Sequence, residues 1–553
     1  MVVVHGLADA LRHVGMQVKE AAAKELAEFY PPDTNGSRPI AYLWARTVLW
    51  EGIGCGAEIP LVRSFWLCKK AGRKVAVRYH VERPKGKPPQ VIFEVFQPTS
   101  EREVQQGTVS RAEATCPCCL TVLPAERLRS QIAAQHGGGD VLANPDGKRI
   151  GGARILAVVT SRQEGDERQY RLATERDYAA VCDAQMAVAK LAQGVVPDEP
   201  LPPIGTLGFR VQRYGITKWG DLFTGRQKLT LVTLAAQVGR ASQKAAADGR
   251  LSSALQATLA MAVSKQADYL TTLCTWRYHN REKVNHTFGR QALPFVTDFV
   301  ETVFSGSGSG GWDGLSDWTA MAVESTALLD SHGAVQLADA CASPLSTDSC
   351  NVWFTDPPYY DAVPYSDLSD FFLVWLKRVL RDRSLLRDPF DASNPLSPKT
   401  LELVQDETRR VSGGVKDKDF FERGMGVAFT EGRRVLRDDG IACVVFAHKT
   451  TEGWEALLSG ILRAGLTVTA SWPIATEMAT RLRAKESAAL ATSVHLVCRP
   501  RPDGAGVGDW SAVKAAMEQR IREWLLTFAQ ARGSRRGRHF FLPGPGVGIL
   551  QQV

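Results

Sequence analysis

The chain has 553 residues, 44% hydrophobic and 23% charged, with a formal net charge of +8, which is the mixture of a globular protein with a sizeable core spread over two or three domains. No apolar run approaches the roughly 20 residues that span a bilayer, and MVVVHGLADALRHVG lacks the charged start and cleavage site of a secretory signal. Membrane and secreted classes are thereby excluded, and the chain reads as cytoplasmic, with its eleven cysteines reduced.

Residues 7–29 place apolar side chains three and four apart among Ala, Glu and Lys, and Pro31-Pro32 ends the pattern, so residues 1–38 are expected to form an N-terminal helix. Residues 39–164 turn to short β-branched runs (VAVRYHV, VIFEVF, RILAVVT) between Gly, Pro and charge clusters, the signature of a small β-rich module. It carries Cys116, Cys118 and Cys119, a cluster dense enough for a metal. It also crowds Arg63, Lys69, Lys70, Arg73, Lys74, Arg78, Arg83, Lys85 and Lys87 beside Phe65, Trp66 and Tyr79, either a phosphate-contacting surface or a solvated basic face. Residues 165–330 are mainly helical, notably over 225–245 and 250–275, and include a Gly/Ser loop at 305–311. Over 331–500 strands and helices alternate: AVQLA, VWFT, a helix after Asp367, another around 419–436, IACVVFA, a helix from Glu452, LTVTASW and TSVHLVC. This alternation predicts an α/β sheet. Residues 501–553 close with a helix and the basic tail RGSRRGRHFF, a second candidate for phosphate contacts.

The run Val352-Trp353-Phe354 leads into Thr355-Asp356-Pro357-Pro358-Tyr359, a carboxylate and a proline-fixed turn at the carboxyl end of a predicted strand, where open α/β sheets bind ligands. Such a turn suits a flat aromatic amine: Asp356 and the Pro357 carbonyl accept hydrogen bonds from the exocyclic NH2 of a flipped base, and Tyr359 stacks on its face. The alternative is a strand-ending proline turn with a surface Asp. Asp339, after AVQLA, stands either near a cofactor adenine or as a turn cap, and His448 and Lys449 follow IACVVFA at a sheet edge.

The segment TDPPYYDAVPYSDLSDFFLVWLKR, together with AYLWART, IPLVRSFWL, ATCPCC, GFRVQRYGITKWGDLF, TFGRQALP, SWPIATE and SAALATS, resembles the large adenine-specific DNA methylases that contain a zinc-ribbon domain. The resemblance implies an S-adenosylmethionine-dependent DNA methyltransferase modifying adenine rather than cytosine, in a phage-defence or restriction setting, with a Rossmann-like methyltransferase sheet in the C-terminal half, catalytic Asp356, Pro357, Pro358 and Tyr359, and the β-rich region as an inserted zinc-ribbon-like module. Two departures accompany it. The family's glycine-rich cofactor loop and ribose-binding acid are not found; Phe304-Ser305-Gly306-Ser307-Gly308 only imitates the loop, and the expectation is either a companion chain supplying the real one or a truncated chain. The zinc ribbon's two cysteine pairs are reduced to Cys116 and Cys119 plus Cys55, with Cys118 or Cys68 as a substitute fourth ligand. The rival expectation is a truncated, non-catalytic DNA-binding or scaffold protein.

Overall fold

Alanine and leucine at helical spacing form α1 (Val2–Glu25), whose Ala8, Leu11, Val14, Val18 and Ala22 are buried in steps of three and four. The computed structural model describes the chain except residues 1, 53, 145–147, 163–166, 246–247, 280, 307, 327–332, 360–362, 381–383, 412–413, 449, 475–492, 503, 507 and 533–553. It is a mixed α/β protein of two units, Met1–Gly333 with Ser366–Pro398, and Ala334–Tyr365 with Lys399–Val553. Among the described residues no helix is long and apolar enough to cross a membrane.

In the first unit the central strand β1 (Arg38–Leu49) pairs antiparallel with β2 (Glu58–Leu61), β11 (Arg154–Ser161) and β15 (Asp298–Thr302), and β12 (Gln169–Arg171) extends β11. The apolar run of β11, ILAVVT, is buried on both faces, as an interior strand requires. A second sheet joins β3 (Trp66–Lys70), β4 (Arg73–Glu82) and β5 (Gln90–Phe96), and a third joins β6 (Val109–Ser110), β7 (Glu113–Thr115) and β8 (Val122–Leu123). Two hairpins follow, β9 (Val141–Ala143) with β10 (Arg149–Gly152) and β13 (Thr275–Arg277) with β14 (Lys283–Asn285). The helices are α2 (Ala125–Ala134), α3 (Glu175–Ala189), α4 (Gly225–Ala245), α5 (Gly249–Tyr269), α6 (Trp312–Thr326) and α7 (Tyr365–Val379), with α1 packed on α4, α5 and α6. The helix expected after Asp367 is α7, but from Ser366 onward it belongs to this unit and not to the α/β half, because Phe371 and Trp375 pack on Phe223.

Three nearly inaccessible carboxylates brace this unit: Asp177 receives Arg171 at 2.7 and 2.9 Å, Asp268 receives Lys265 at 2.8 Å and the Phe288 amide at 3.0 Å, and Glu282 receives Arg73 at 2.9 Å. Burial pushes all three upward, but Arg171 and Thr174 at Asp177, His286 and Lys265 at Asp268, and Lys70 and Tyr170 at Glu282 outweigh it and hold each below its ordinary value. A carboxylate depressed on folding contributes stability that is fully present above its unfolded pKa and is lost as pH falls through the folded value. Near-ultraviolet circular dichroism is therefore expected to stay flat from neutrality to about pH 5 and to fall away only below about pH 4. A loss setting in above pH 5 would contradict this.

The second unit holds a four-stranded sheet in the order β16 (Cys350–Thr355), β19 (Leu436–Phe446), β21 (Ser493–Pro500), β20 (Leu466–Ile474). The first two run parallel, and β21 is antiparallel to both of its neighbours. A hairpin of β17 (Asp406–Val411) and β18 (Gly414–Lys416) precedes α8 (Lys418–Val435); α9 (Thr451–Arg463) and α10 (Trp510–Arg532) follow β19 and β21. One face of the sheet buries Ala442, Val444, Phe446, Val468 and Leu496 against Phe421, Met425 and Phe429 of α8 and Leu457 and Ile461 of α9. Side chains of the alternate register, Val352, Phe354 and Trp472, are 60%, 60% and 62% exposed. The strand expected at AVQLA is absent. Residues 334–339 are irregular, with Val335 fully exposed, because β16 pairs only with β19 among the described residues and offers them no ladder.

Candidate active site and metal centre

Because β16 and β19 are parallel, with Thr355 opposite Val444, their carboxyl ends open on the same edge of the sheet. Asp356, Pro357, Pro358 and Tyr359 leave β16 there, with Asp356 exposed, Pro357 buried and Tyr359 half-buried. The Tyr359 ring meets Phe446, the last residue of β19, edge-on at 5.8 Å. His448 stacks on the same phenylalanine at 6.1 Å, and Trp454 meets it edge-on at 5.2 Å. The placement of His448 is tied to α9: its Nδ1 lies 3.2 Å from the Thr450 amide, Thr450 caps the helix, and a Cβ on Gly453 would strike the imidazole. Lys449 lies outside the described residues. Tyr365, which the motif alone did not mark, is held against the Tyr359 backbone; burial and the nearby Asp356 charge raise its phenol above the ordinary range. Its only signal in sequence is an aromatic residue at the start of the helix after the motif. Asp339 accepts the Cys341 amide at 2.8 Å through one carboxylate oxygen.

The Phe304–Gly308 segment follows β15 in the first unit, whereas Asp356 follows β16 in the second. Its turn closes on itself, with Trp312 N donating to Phe304 O at 2.7 Å and Gly306 N to Val303 O at 3.0 Å. Further along the loop, a Cβ at Gly310 would hit the Tyr269 ring and one at Gly311 the Gly306 carbonyl. These glycines serve packing. In the second unit, no glycine-rich turn leads from a strand beside the free edge of β16 among the described residues, so those residues do not by themselves fit S-adenosylmethionine.

The cysteine turns do fit a metal such as zinc. The ligating sulfurs of Cys55, Cys116 and Cys119 all lie within 4.8 Å of one another. The Cys55–Cys116 separation is 3.8 Å, close to the edge of a tetrahedron of thiolates at about 2.3 Å from zinc. Burial pushes the Cys116 thiol up to about 12; at the exposed Cys119, hydrogen bonds from Thr121, Cys116 and Cys55 outweigh burial and bring it down to about 7. Neither Cys118 nor Cys68 joins the group, and the Cys68 thiol lies 3.6 Å from the Arg73 carbonyl.

Most of the basic segment is neutralised within the protein. Arg63 pairs with Asp298 at 2.6 Å, Lys69 with Glu101 and Arg73 with Glu282 at 2.9 Å, Arg78 with Glu94 at 2.7 Å, and Lys70 with Glu282. Among the described residues Lys74, Arg83, Lys85 and Lys87 have no such carboxylate, and Lys85 and Lys87 sit in the β4–β5 turn. If this surface meets DNA, Lys85→Ala with Lys87→Ala is expected to reduce the slope of log affinity against log salt by about two, whereas Arg78→Ala leaves it nearly unchanged. An unaltered slope in the double variant would leave the turn as solvated charge. The basic tail after Arg532 lies outside the described residues. No protein-family model, curated protein or solved structure matches this chain.

Proposed function

We propose that this chain is the base-binding and catalytic part of an S-adenosylmethionine-dependent DNA methyltransferase acting on an exocyclic amine, adenine in preference to cytosine. The observation that carries the reading is the exit of Asp356-Pro357-Pro358-Tyr359 from the carboxyl end of a parallel strand pair, beside the aromatic group Tyr359, Phe446, His448 and Trp454. In this reading a base turned out of the duplex stacks on Tyr359 while the Asp356 carboxylate and the Pro357 carbonyl accept its amino hydrogens, which fixes the direction of the nitrogen lone pair. Prolines suit this task because they hold the turn without adding amide donors that would compete for those acceptors. Asp339 is proposed as a cofactor contact, and zinc as a constituent of the cysteine module.

The methyl donor is proposed to be seated by strands that complete the sheet beside β16, brought by a companion chain with a glycine-rich turn. Among the described residues β16 pairs only with β19, and its Val352 and Phe354 are exposed, which supports this, since an uncovered apolar edge strand is a liability that folded proteins cover. Without that partner, the chain is a DNA-binding scaffold. Incubating DNA and labelled S-adenosylmethionine with the chain, alone and with the companion, tests the reading; failure of both to transfer label would overturn it.

A further inference from the structure

We infer that the cleft between β5, the β10–β11 connection and the start of α3 is a binding site for a small organic carboxylate with an apolar body, received by Arg154 and Tyr178. The inference stands apart from the methyl-transfer reading, and the cleft lies wholly in the first unit. It encloses about 590 Å³, within the range of about 300–1,000 Å³ that small-molecule sites occupy. Pro88, Pro89, Ile92, Phe93 and Leu172 give it apolar walls, and Arg154 and Tyr178 line the same space. Arg154 opens β11, and its guanidinium lies over the buried Phe93 ring of β5 at 4.3 Å. Among the described residues that guanidinium donates no hydrogen bond and pairs with no carboxylate. Burial pushes its pKa down, and the Glu58 charge opposes this only in part.

A cation drawn out of water without a counter-ion destabilises the fold, and comparable arginines of this unit are not left so. Arg149, the next cation of the cleft, donates to Glu58 at 3.1 Å and to the Ala153 and Gly152 carbonyls at 2.9 and 2.8 Å. Arg46, which burial also pushes down, donates to the Gly137 carbonyl at 2.5 Å and the Thr272 hydroxyl at 3.0 Å. Phe93 covers one face of the Arg154 guanidinium, so the N–H groups along its edge remain for a planar acceptor, and a carboxylate matches that fork with two parallel bonds. Tyr178 of α3 supplies a further donor: its hydroxyl oxygen accepts the Ile155 amide at 3.0 Å, which leaves the hydroxyl hydrogen for the ligand. The Arg149 and Arg154 charges both reach that phenol. Arg149 neutralises Glu58, and of the other charges lining the cleft Lys148 and Arg154 stand against Glu175. The surplus is one cation, which suits a monoanion better than a doubly charged phosphate.

The test titrates the full chain with phenylacetate, phenylpropionate and phenylbutyrate, with their amides and phenyl phosphate as comparisons, by calorimetry and by the thermal midpoint. One carboxylate per chain is expected to bind, its amide roughly tenfold more weakly or worse. Arg154→Leu should weaken carboxylate binding by roughly tenfold or more and leave the ligand-free midpoint unchanged or higher, because it removes a cation that the folded chain alone does not satisfy. A ligand-free midpoint that falls in Arg154→Leu, or a variant that does not fold, would make the arginine a structural strut and overturn the inference. Equal binding of acid and amide, undiminished binding in the variant, or no binding by any acid of the series would overturn it as well. Phenyl phosphate binding tighter than every carboxylate would overturn the assignment of the ligand as a carboxylate.

Discussion

Asp356→Ala is expected to lower methyl transfer by roughly 10²–10³-fold, the usual consequence of removing one group that orients a reacting centre. The side chain is exposed at the end of β16, so its loss should change stability by no more than about 0.5 kcal/mol. DNA affinity should hold too, because the contact is with one amine and not with the phosphate backbone. Tyr359→Ala is expected to weaken retention of the base by about 1–3 kcal/mol, the range for a stacking aromatic, and Tyr359→Phe to restore it. The measurement is single-turnover transfer of labelled methyl to DNA under conditions where the wild type is active. Undiminished transfer by Asp356→Ala would remove the motif from the chemistry.

The largest expected effect on stability lies in the first unit. Arg226 of α4 and Glu301 of β15 are both 0% exposed and joined by hydrogen bonds of 2.7 and 2.9 Å. Trp44 Nε1 donates to the same carboxylate at 2.9 Å, and the guanidinium lies over the Tyr42 and Tyr30 rings at 4.0 and 4.8 Å. Burial alone would lower the Arg226 pKa, but the Glu301 charge outweighs it, so the arginine stays protonated. Replacing either partner strands a charge or its donors in the core, and Glu301→Leu or Arg226→Met should each cost about 3–5 kcal/mol. The double replacement should recover most of that loss, because an apolar pair of similar volume leaves no charge unmatched. Urea unfolding, with hydrogen exchange read at α4 and β15, checks both statements. A single replacement costing under about 1 kcal/mol would show that the pair is not the strut described here.

Elements with a strong local period were legible in the sequence. The apolar spacing of α1 and α4, and the runs that became β16, β19 and β21, are patterns a few residues long that decide their own faces. The motif was legible for the same reason. Features assembled across long separations were not. Glu301 lies 75 residues from Arg226, and nothing local in either segment announces a buried pair. The density of cations between Arg63 and Lys87 was plain, but the carboxylates that neutralise Arg63 and Lys70 lie 235 and 212 residues away. AVQLA reads as a strand because its composition suits one, yet a strand needs a neighbour, and the described residues provide none there. The cysteine group was visible as Cys55, Cys116 and Cys119, while the exclusion of Cys68 from it emerged only from the fold.

The most direct test of the central claim is to incubate DNA with labelled S-adenosylmethionine and the purified chain, with and without a companion polypeptide carrying a glycine-rich turn, and to analyse the hydrolysed DNA for methylated bases. Adenine methylated at its exocyclic nitrogen, formed only when both polypeptides are present and abolished by Asp356→Ala, is the predicted result. Full methylation by the chain alone, or none with the companion present, would contradict it.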